Sequence, residues 1–131
     1  MENLVDEFNT TSCMCVEFIL SVTDDDDLKF YKKAMVKIIE IDKIKIIEQF
    51  IIYCLPHYDY IINNDENYFI NLNSTDMDVN KDSFIEILKL RKYLVSLDKN
   101  MKELIFEYLK LLCKASKQYL QYKLENKKHI D

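Results

Sequence analysis

Three cysteines and one histidine have the side-chain types that could bind a metal ion. Cys13 and Cys15 are separated by one residue, and Cys54 lies three positions before His57. Three thiolates and one imidazole form a recognised structural zinc set. The spacing argues against zinc, because Cys-x-Cys is tighter than the usual Cys-x₂-Cys knuckle and places the two thiols about 200° apart on a helix. We therefore predict reduced cysteines that serve as small apolar core residues, with no metal and no cofactor. A small zinc-stabilised module, with these four residues as ligands, is the alternative that the sequence leaves open.

The sequence contains no pattern typical of an enzyme. Its 131 residues include no Gly, which excludes the phosphate-binding loops and the nucleophile elbow that depend on Gly. His57 precedes Asp59 closely, but no serine lies in a nucleophile motif and nothing among the 23 acidic residues selects a catalytic pair. We therefore predict a non-enzymatic protein without a small-molecule substrate.

A row of lysines follows one face of the C-terminal segment. Lys110, Lys114 and Lys117 are spaced at i, i+4 and i+7, and residues 81–131 carry twelve basic and seven acidic side chains. With Tyr119 and Tyr122 nearby, such a row could bind nucleic acid. The overall net charge of −5 argues against general nucleic-acid binding. Lysines opposite an apolar stripe are also the ordinary hydrated face of a helix.

The N-terminal part of the chain is acidic. Residues 1–27 carry eight acidic side chains and no Lys or Arg. A secretory signal peptide would have basic residues here, and the most apolar stretch, residues 44–55, is interrupted by Lys45 and Glu48 and is too short to span a membrane. We therefore expect an intracellular protein without a membrane partner.

The apolar residues have helical spacing along nearly the whole chain. This pattern predicts an all-α fold, a compact bundle of five to seven helices in one domain over residues 1–131, with a polar tail at about 126–131 that frays. The first predicted helix is capped at Thr11 or Ser12, with residues 1–10 as a candidate extension. Residues 24–27 are expected to end it and to supply the N-cap of a second helix. A third apolar segment over 44–54 either continues the second helix past Asp42 or forms a separate helix. Short helices over 56–62 and 65–70, a loop over 71–82, a helix behind the capping box of Ser83 and Glu86, and a last helix capped by Asn100 with Glu103 follow.

Aromatic residues are concentrated just before the predicted loop. Tyr58, Tyr60, Tyr68 and Phe69 lie within twelve residues, and aromatics are enriched at protein interfaces. The last helix carries a heptad-like apolar stripe over residues 101–122, which suits packing against other helices in a core or an interface. We predict that the four aromatics contact a protein partner or a second copy. The alternative is that they belong to the core.

Two stretches carry a resemblance to a known group of proteins. Residues 50–69 run from a Phe-containing helix through Leu55-Pro56 to Asp65-Glu-x-x-Phe69, and residues 100–113 contain Lys-x-x-Ile-x-x-Tyr-Leu-x-x-Leu. The chain resembles small helical proteins of the nucleocytoplasmic large DNA viruses, the giant-virus group. The resemblance covers about half of the chain and transfers no catalytic residue. It implies a viral protein of unassigned activity, acting in the host cytoplasm or in the virion.

The sequence leaves three functional hypotheses open. The first is a non-enzymatic protein-interaction module. The second is a nucleic-acid-associated factor that uses Lys110, Lys114 and Lys117. The third follows from a similarity to the small acidic Bcl-2-like host-response inhibitors of poxviruses, although the chain has neither the Trp nor the Gly of their Asn-Trp-Gly-Arg signature.

Overall fold

Two long helices at the two ends of the chain pack against each other and organise the fold. The computed structural model describes residues 2–71 and 90–130, and the helices α1 and α7 make the most extensive pairing within them. The described elements are α1 (Glu2–Thr23), α2 (Asp26–Ile41), α3 (Lys45–Tyr53), a 3₁₀ turn (Leu55–His57), α4 (Tyr58–Ile62), α5 (Glu66–Ile70), α6 (Leu90–Ser96) and α7 (Lys99–Ile130). No strand occurs in these residues, so the all-α prediction is confirmed.

The predicted cap at Thr11 or Ser12 is wrong, and the candidate extension over the first ten residues is confirmed, because α1 begins at Glu2. Thr11 and Ser12 lie inside this helix. Val5 and Phe8 are buried in the core, and their packing extends the helix over the first ten residues. The predicted stop at residues 24–27 is confirmed. Asp24 adopts a left-handed φ of 54°, and the Asp25 carboxylate caps α2 by accepting a hydrogen bond from the Leu28 amide.

The middle of the chain is divided into short helices at the predicted positions. Asp42 ends α2 and separates it from α3. Pro56 lies in the 3₁₀ turn, where its missing amide is tolerated. Asn64 has a left-handed φ of 51°, which Asn accepts more readily than most residues, and the Asp65 carboxylate then caps α5.

The cap of the last helix lies two residues earlier than predicted. The Asp98 carboxylate accepts a hydrogen bond of 2.9 Å from the Met101 amide, and Asn100 lies within α7. The apolar stripe of this helix is mostly core, since Ile105, Leu112 and Tyr119 are buried. The helix continues through the polar residues to Ile130. The predicted loop beyond Asn71 and the capping box of Ser83 and Glu86 lie outside the described residues.

The core is formed where α1, α3 and α7 meet. Phe8 and Phe50 contact each other edge to face, with ring centroids 5.3 Å apart. Burying such side chains removes the most apolar surface from water, which supplies the main stabilising free energy. The short helix α4 packs on α7. A groove lies between these two helices at the surface.

Candidate functional site

A groove of about 410 Å³ runs between α4 and α7. We call it the α4/α7 groove. On the α7 side it extends from Glu107 to Gln121, which is roughly 21 Å at 1.5 Å per residue. Its lining residues are Tyr58 and Ile62 from α4, and Glu107, Lys110, Leu111, Lys114, Lys117, Gln118 and Gln121 from α7.

Two aliphatic side chains in the groove are exposed. Ile62 is 41 % exposed and Leu111 is 54 % exposed. Leu111 lies on the face of α7 opposite its buried stripe, so it does not contribute to the core. Exposed aliphatic residues that are adjacent to one another and rimmed by polar groups are typical of binding surfaces.

The rim of the groove is basic. The Lys117 ammonium lies 3.3 Å from the centroid of the Tyr58 ring, a cation–π contact. Lys110 makes an ion pair of 3.4 Å with Glu107, and Lys114 is exposed. The lining therefore carries three cationic side chains and one carboxylate, which gives this part of an acidic protein a local positive charge.

The opposite face of α4 carries a separate aromatic cluster. The rings of Tyr60 and Tyr68 are stacked with centroids 3.6 Å apart and an angle of 3° between their planes. The Tyr68 hydroxyl shares a hydrogen bond of 2.6 Å with Nδ1 of His57. Burial lowers the pKa of His57, because the charged imidazolium is poorly solvated there. This cluster joins the 3₁₀ turn, α4 and α5.

The predicted surface role of Phe69 is corrected by the structure. Its side chain is only 1 % exposed and packs against Phe106 of α7, with ring centroids 5.9 Å apart. Phe69 therefore belongs to the core, because its ring packs between α5 and α7. The three tyrosines remain at least partly accessible, but only Tyr58 lines the α4/α7 groove.

The candidate zinc ligands do not form a site in the described part of the chain. No group of three or more His, Cys, Asp or Glu side chains in residues 2–71 and 90–130 is placed to hold a metal ion. Cys15 and Cys54 are fully buried, whereas Cys13 is partly exposed on a different face of α1. Burial raises the pKa of Cys15 to about 12, which disfavours the thiolate that binds a metal.

The sequence predicts an aromatic partner surface and a separate basic row, and the fold combines parts of both. Tyr58 comes from the predicted aromatic surface, and Lys110, Lys114 and Lys117 come from the predicted basic row. The apolar floor formed by Ile62 and Leu111 was not predicted. The sequence does contain a signal for this apolar floor. Leu111 is an apolar residue among the lysines of α7, on the face opposite the apolar stripe of that helix.

No helix in the described residues is long and apolar enough to cross a membrane. Comparison of the chain with models of protein families, with curated proteins and with solved structures finds no match.

Proposed function

We propose that the chain is a non-enzymatic protein-interaction module whose α4/α7 groove binds an acidic, amphipathic helical segment of a partner protein. The main observation in support is that two exposed aliphatic side chains, Ile62 and Leu111, lie beside the ammonium groups of the lysine rim. Apolar residues of a bound helix would cover Ile62 and Leu111, and its carboxylates would face the lysine ammonium groups.

The dimensions of the groove favour a helix as the occupant. A length of roughly 21 Å corresponds to about four helical turns. Side-chain ridges of one helix pack into the groove between two others, as they do within bundles. Helix-in-groove recognition is a common mode of protein binding, with anchor residues at i, i+3 and i+4 spacing.

The charge of the groove favours an acidic occupant. Lys114 is exposed and points to the same groove as Lys110 and Lys117. A basic segment would leave these ammonium groups next to like charges, which opposes association. An acidic segment would instead gain favourable rim contacts, whose effect on the association rate decreases as salt is added.

The aromatic side chains favour a protein over a nucleic acid. Binding of single-stranded nucleic acid needs aromatic faces on which bases stack. One face of the Tyr58 ring is covered by Lys117 and the side chain is only partly exposed, whereas Tyr119 is buried. The nucleic-acid hypothesis therefore keeps the lysines and Tyr122 but lacks a stacking platform within the groove.

Affinity capture with matched variants tests the proposal. The full chain, Leu111→Glu and Val95→Glu are expressed at equal levels, and the retained proteins are identified at low and high salt. Val95 is exposed on α6 and does not line the groove, so its substitution controls for the added carboxylate. We expect a discrete protein partner that Val95→Glu retains and Leu111→Glu loses. Cross-linking of the captured complex should join the groove to an acidic amphipathic helix of that partner.

Two results would overturn the proposal. One is recovery of the same protein partners by Leu111→Glu as by the unmodified chain. The other is recovery of nucleic acid that is released steeply by salt, as counterion release predicts for phosphate contacts. Viral origin and action inside a host cell stay predictions from the resemblance, and the identity of the partner also tests them.

A further inference from the structure

A second exposed surface of the molecule has the properties that the α4/α7 groove requires of its occupant. Glu7, Thr10, Met14 and Glu17 recur on α1 at spacings of three, four and three, and all four side chains are exposed. We call this set the acidic stripe. Helix α1 contains four acidic residues and no basic residue, and Met14 is an exposed apolar residue, at 47 %, near the centre of the stripe.

The acidic stripe is not needed for the packing of its own helix. The core side of α1 is formed by other residues, such as Phe8, Cys15 and Ile19, which are buried. Glu17 makes an ion pair of 2.9 Å with Lys32 of α2, but its side chain remains 55 % exposed. An exposed ion pair of this kind contributes little to stability, so its carboxylate can also face a second cation.

The stripe and the groove are complementary in size and charge. Glu7 and Glu17 are ten residues apart, or roughly 15 Å along the helix, which fits within the groove of roughly 21 Å between Glu107 and Gln121. The groove presents Leu111 and Ile62 for Met14 and an ammonium rim for the carboxylates. A helix ridge seated between two helices is the ordinary packing of a bundle.

We propose that the acidic stripe of one copy binds in the α4/α7 groove of a second copy, so that the chain associates head to tail. This inference rests on the proposed function of the groove and names a second copy of the chain as its occupant. The two surfaces are different, so the contact is heterologous. An open assembly always has one unfilled stripe and one unfilled groove at its ends. It therefore grows as an open chain, or closes into a ring if the rotation between copies allows it.

Mixing two complementary variants of the full chain tests this inference. The groove variant carries Leu111→Glu and Lys114→Glu. The stripe variant carries Met14→Ser and Glu17→Ser, whose neutral side chains do not pair with the new carboxylates of the groove variant. All four positions are exposed, so circular dichroism should show that both variants fold. Lys99→Glu, at an exposed position outside the groove, makes the same charge change as Lys114→Glu and serves as the control.

Sedimentation equilibrium measures the mass of each protein in solution and of the mixture. The unmodified chain and Lys99→Glu should show a mass that rises with concentration above the 15.8 kDa of one copy. Each of the two variants alone should stay at the mass of one copy. Their equimolar mixture should stop at twice that mass, because one intact groove meets one intact stripe and no further surface is left.

Other outcomes overturn the inference and separate it from the proposed function. If the unmodified chain stays monomeric at the highest concentration reached, a second copy is not the occupant. The groove then still stands as a partner site if Leu111→Glu loses a captured protein. If the groove variant associates as well as the unmodified chain does, self-association uses another surface and the inference is wrong.

Discussion

Lys117 and Tyr58 connect α7 to α4 at the rim of the groove, with the ammonium 3.3 Å from the centre of the ring. This contact joins the two helices that form the groove. It also occupies one of the two faces of the Tyr58 ring on which a nucleic-acid base could stack. The pair therefore bears on both the shape of the candidate site and its selectivity.

A double-mutant cycle on this pair is the first prediction. Lys117→Met and Tyr58→Leu keep much of each side chain's apolar volume and remove the cation or the ring. We expect a coupling free energy of about 0.5–1 kcal/mol, since Lys117 is exposed and cation–π contacts in water are modest. Urea unfolding of the two single variants and the double variant measures it. Additive effects would show that the contact does not hold the helices together.

The buried imidazole of His57 predicts a specific dependence of stability on pH. Its pKa in the folded state is lowered from the ordinary value of 6.5 by burial, so the unfolded chain binds the proton more readily. The unfolding free energy should therefore decrease as the pH falls from about 6.5 towards the lowered pKa, and level off below it. His57→Gln has no titrating ring and should show a flatter profile over this range.

Urea unfolding at a series of pH values compares the two proteins. His129 and all carboxyl groups are the same in both chains, so their contributions cancel in the difference. Parallel profiles would mean that His57 titrates equally in the folded and unfolded states. Tyr68→Phe offers a companion variant, because it removes the hydroxyl bonded to Nδ1 and leaves the ring in place.

The cysteines should be inert in the folded protein. Burial raises the pKa values of Cys15 and Cys113 to about 12 and also raises that of the partly exposed Cys13. Alkylation at mildly alkaline pH should therefore be slow, with Cys13 modified first, and should become fast only in denaturant. Peptide mass spectrometry over a time course measures the order. Rapid modification of Cys15 without denaturant would contradict its burial.

Protein purified without chelator should contain no stoichiometric zinc, and EDTA should leave its melting temperature unchanged. The physical reason is that Cys13, Cys15, Cys54 and His57 are not assembled into a metal-binding group in the described residues. Elemental analysis and a thermal melt with and without EDTA measure this directly. One zinc per chain with a lowered melting temperature in EDTA would reverse the conclusion.

Phe69 and Tyr60 should respond differently to truncation. Phe69→Ala removes a fully buried ring and should cost about 3–5 kcal/mol of unfolding free energy. Tyr60→Ala removes a partly exposed ring and its stack on Tyr68, so the loss should be closer to 1 kcal/mol. Chemical denaturation ranks the two variants. Equal small losses would place Phe69 at the surface, as its sequence neighbours suggested.

Much of the fold could be predicted from local patterns. Apolar spacing predicted the buried stripe of α7, and Asp25 and Asp65 lie where a carboxylate caps the next helix. Thr11 is not the helix start, because a capping residue type is a local signal and the burial of Phe8 is a tertiary one. The spacing of Phe8 supports the candidate extension, which is confirmed. Asn100 was misread because Asp98, two residues earlier, provides the cap.

The groove was harder to predict because it depends on the pairing of distant helices. Nothing local shows that Ile62 of α4 lies beside Leu111 of α7, 49 positions further along the chain. Phe69 shows the same limit. Its residue type is common to interfaces and cores, and only the docking of α5 on the remaining helices decides between them.

Site-specific photocrosslinking tests the central claim most directly. A benzophenone amino acid replaces Leu111 in the groove and, as a control, the exposed Val95 outside it. We predict that the probe at position 111 crosslinks to an acidic helical segment, either of another protein or of α1 in a second copy. Lys114→Glu should reduce this yield, and the probe at position 95 should not give the same product. Equal products at both positions, or a yield that Lys114→Glu leaves unchanged, would contradict the assignment of the groove as a binding site.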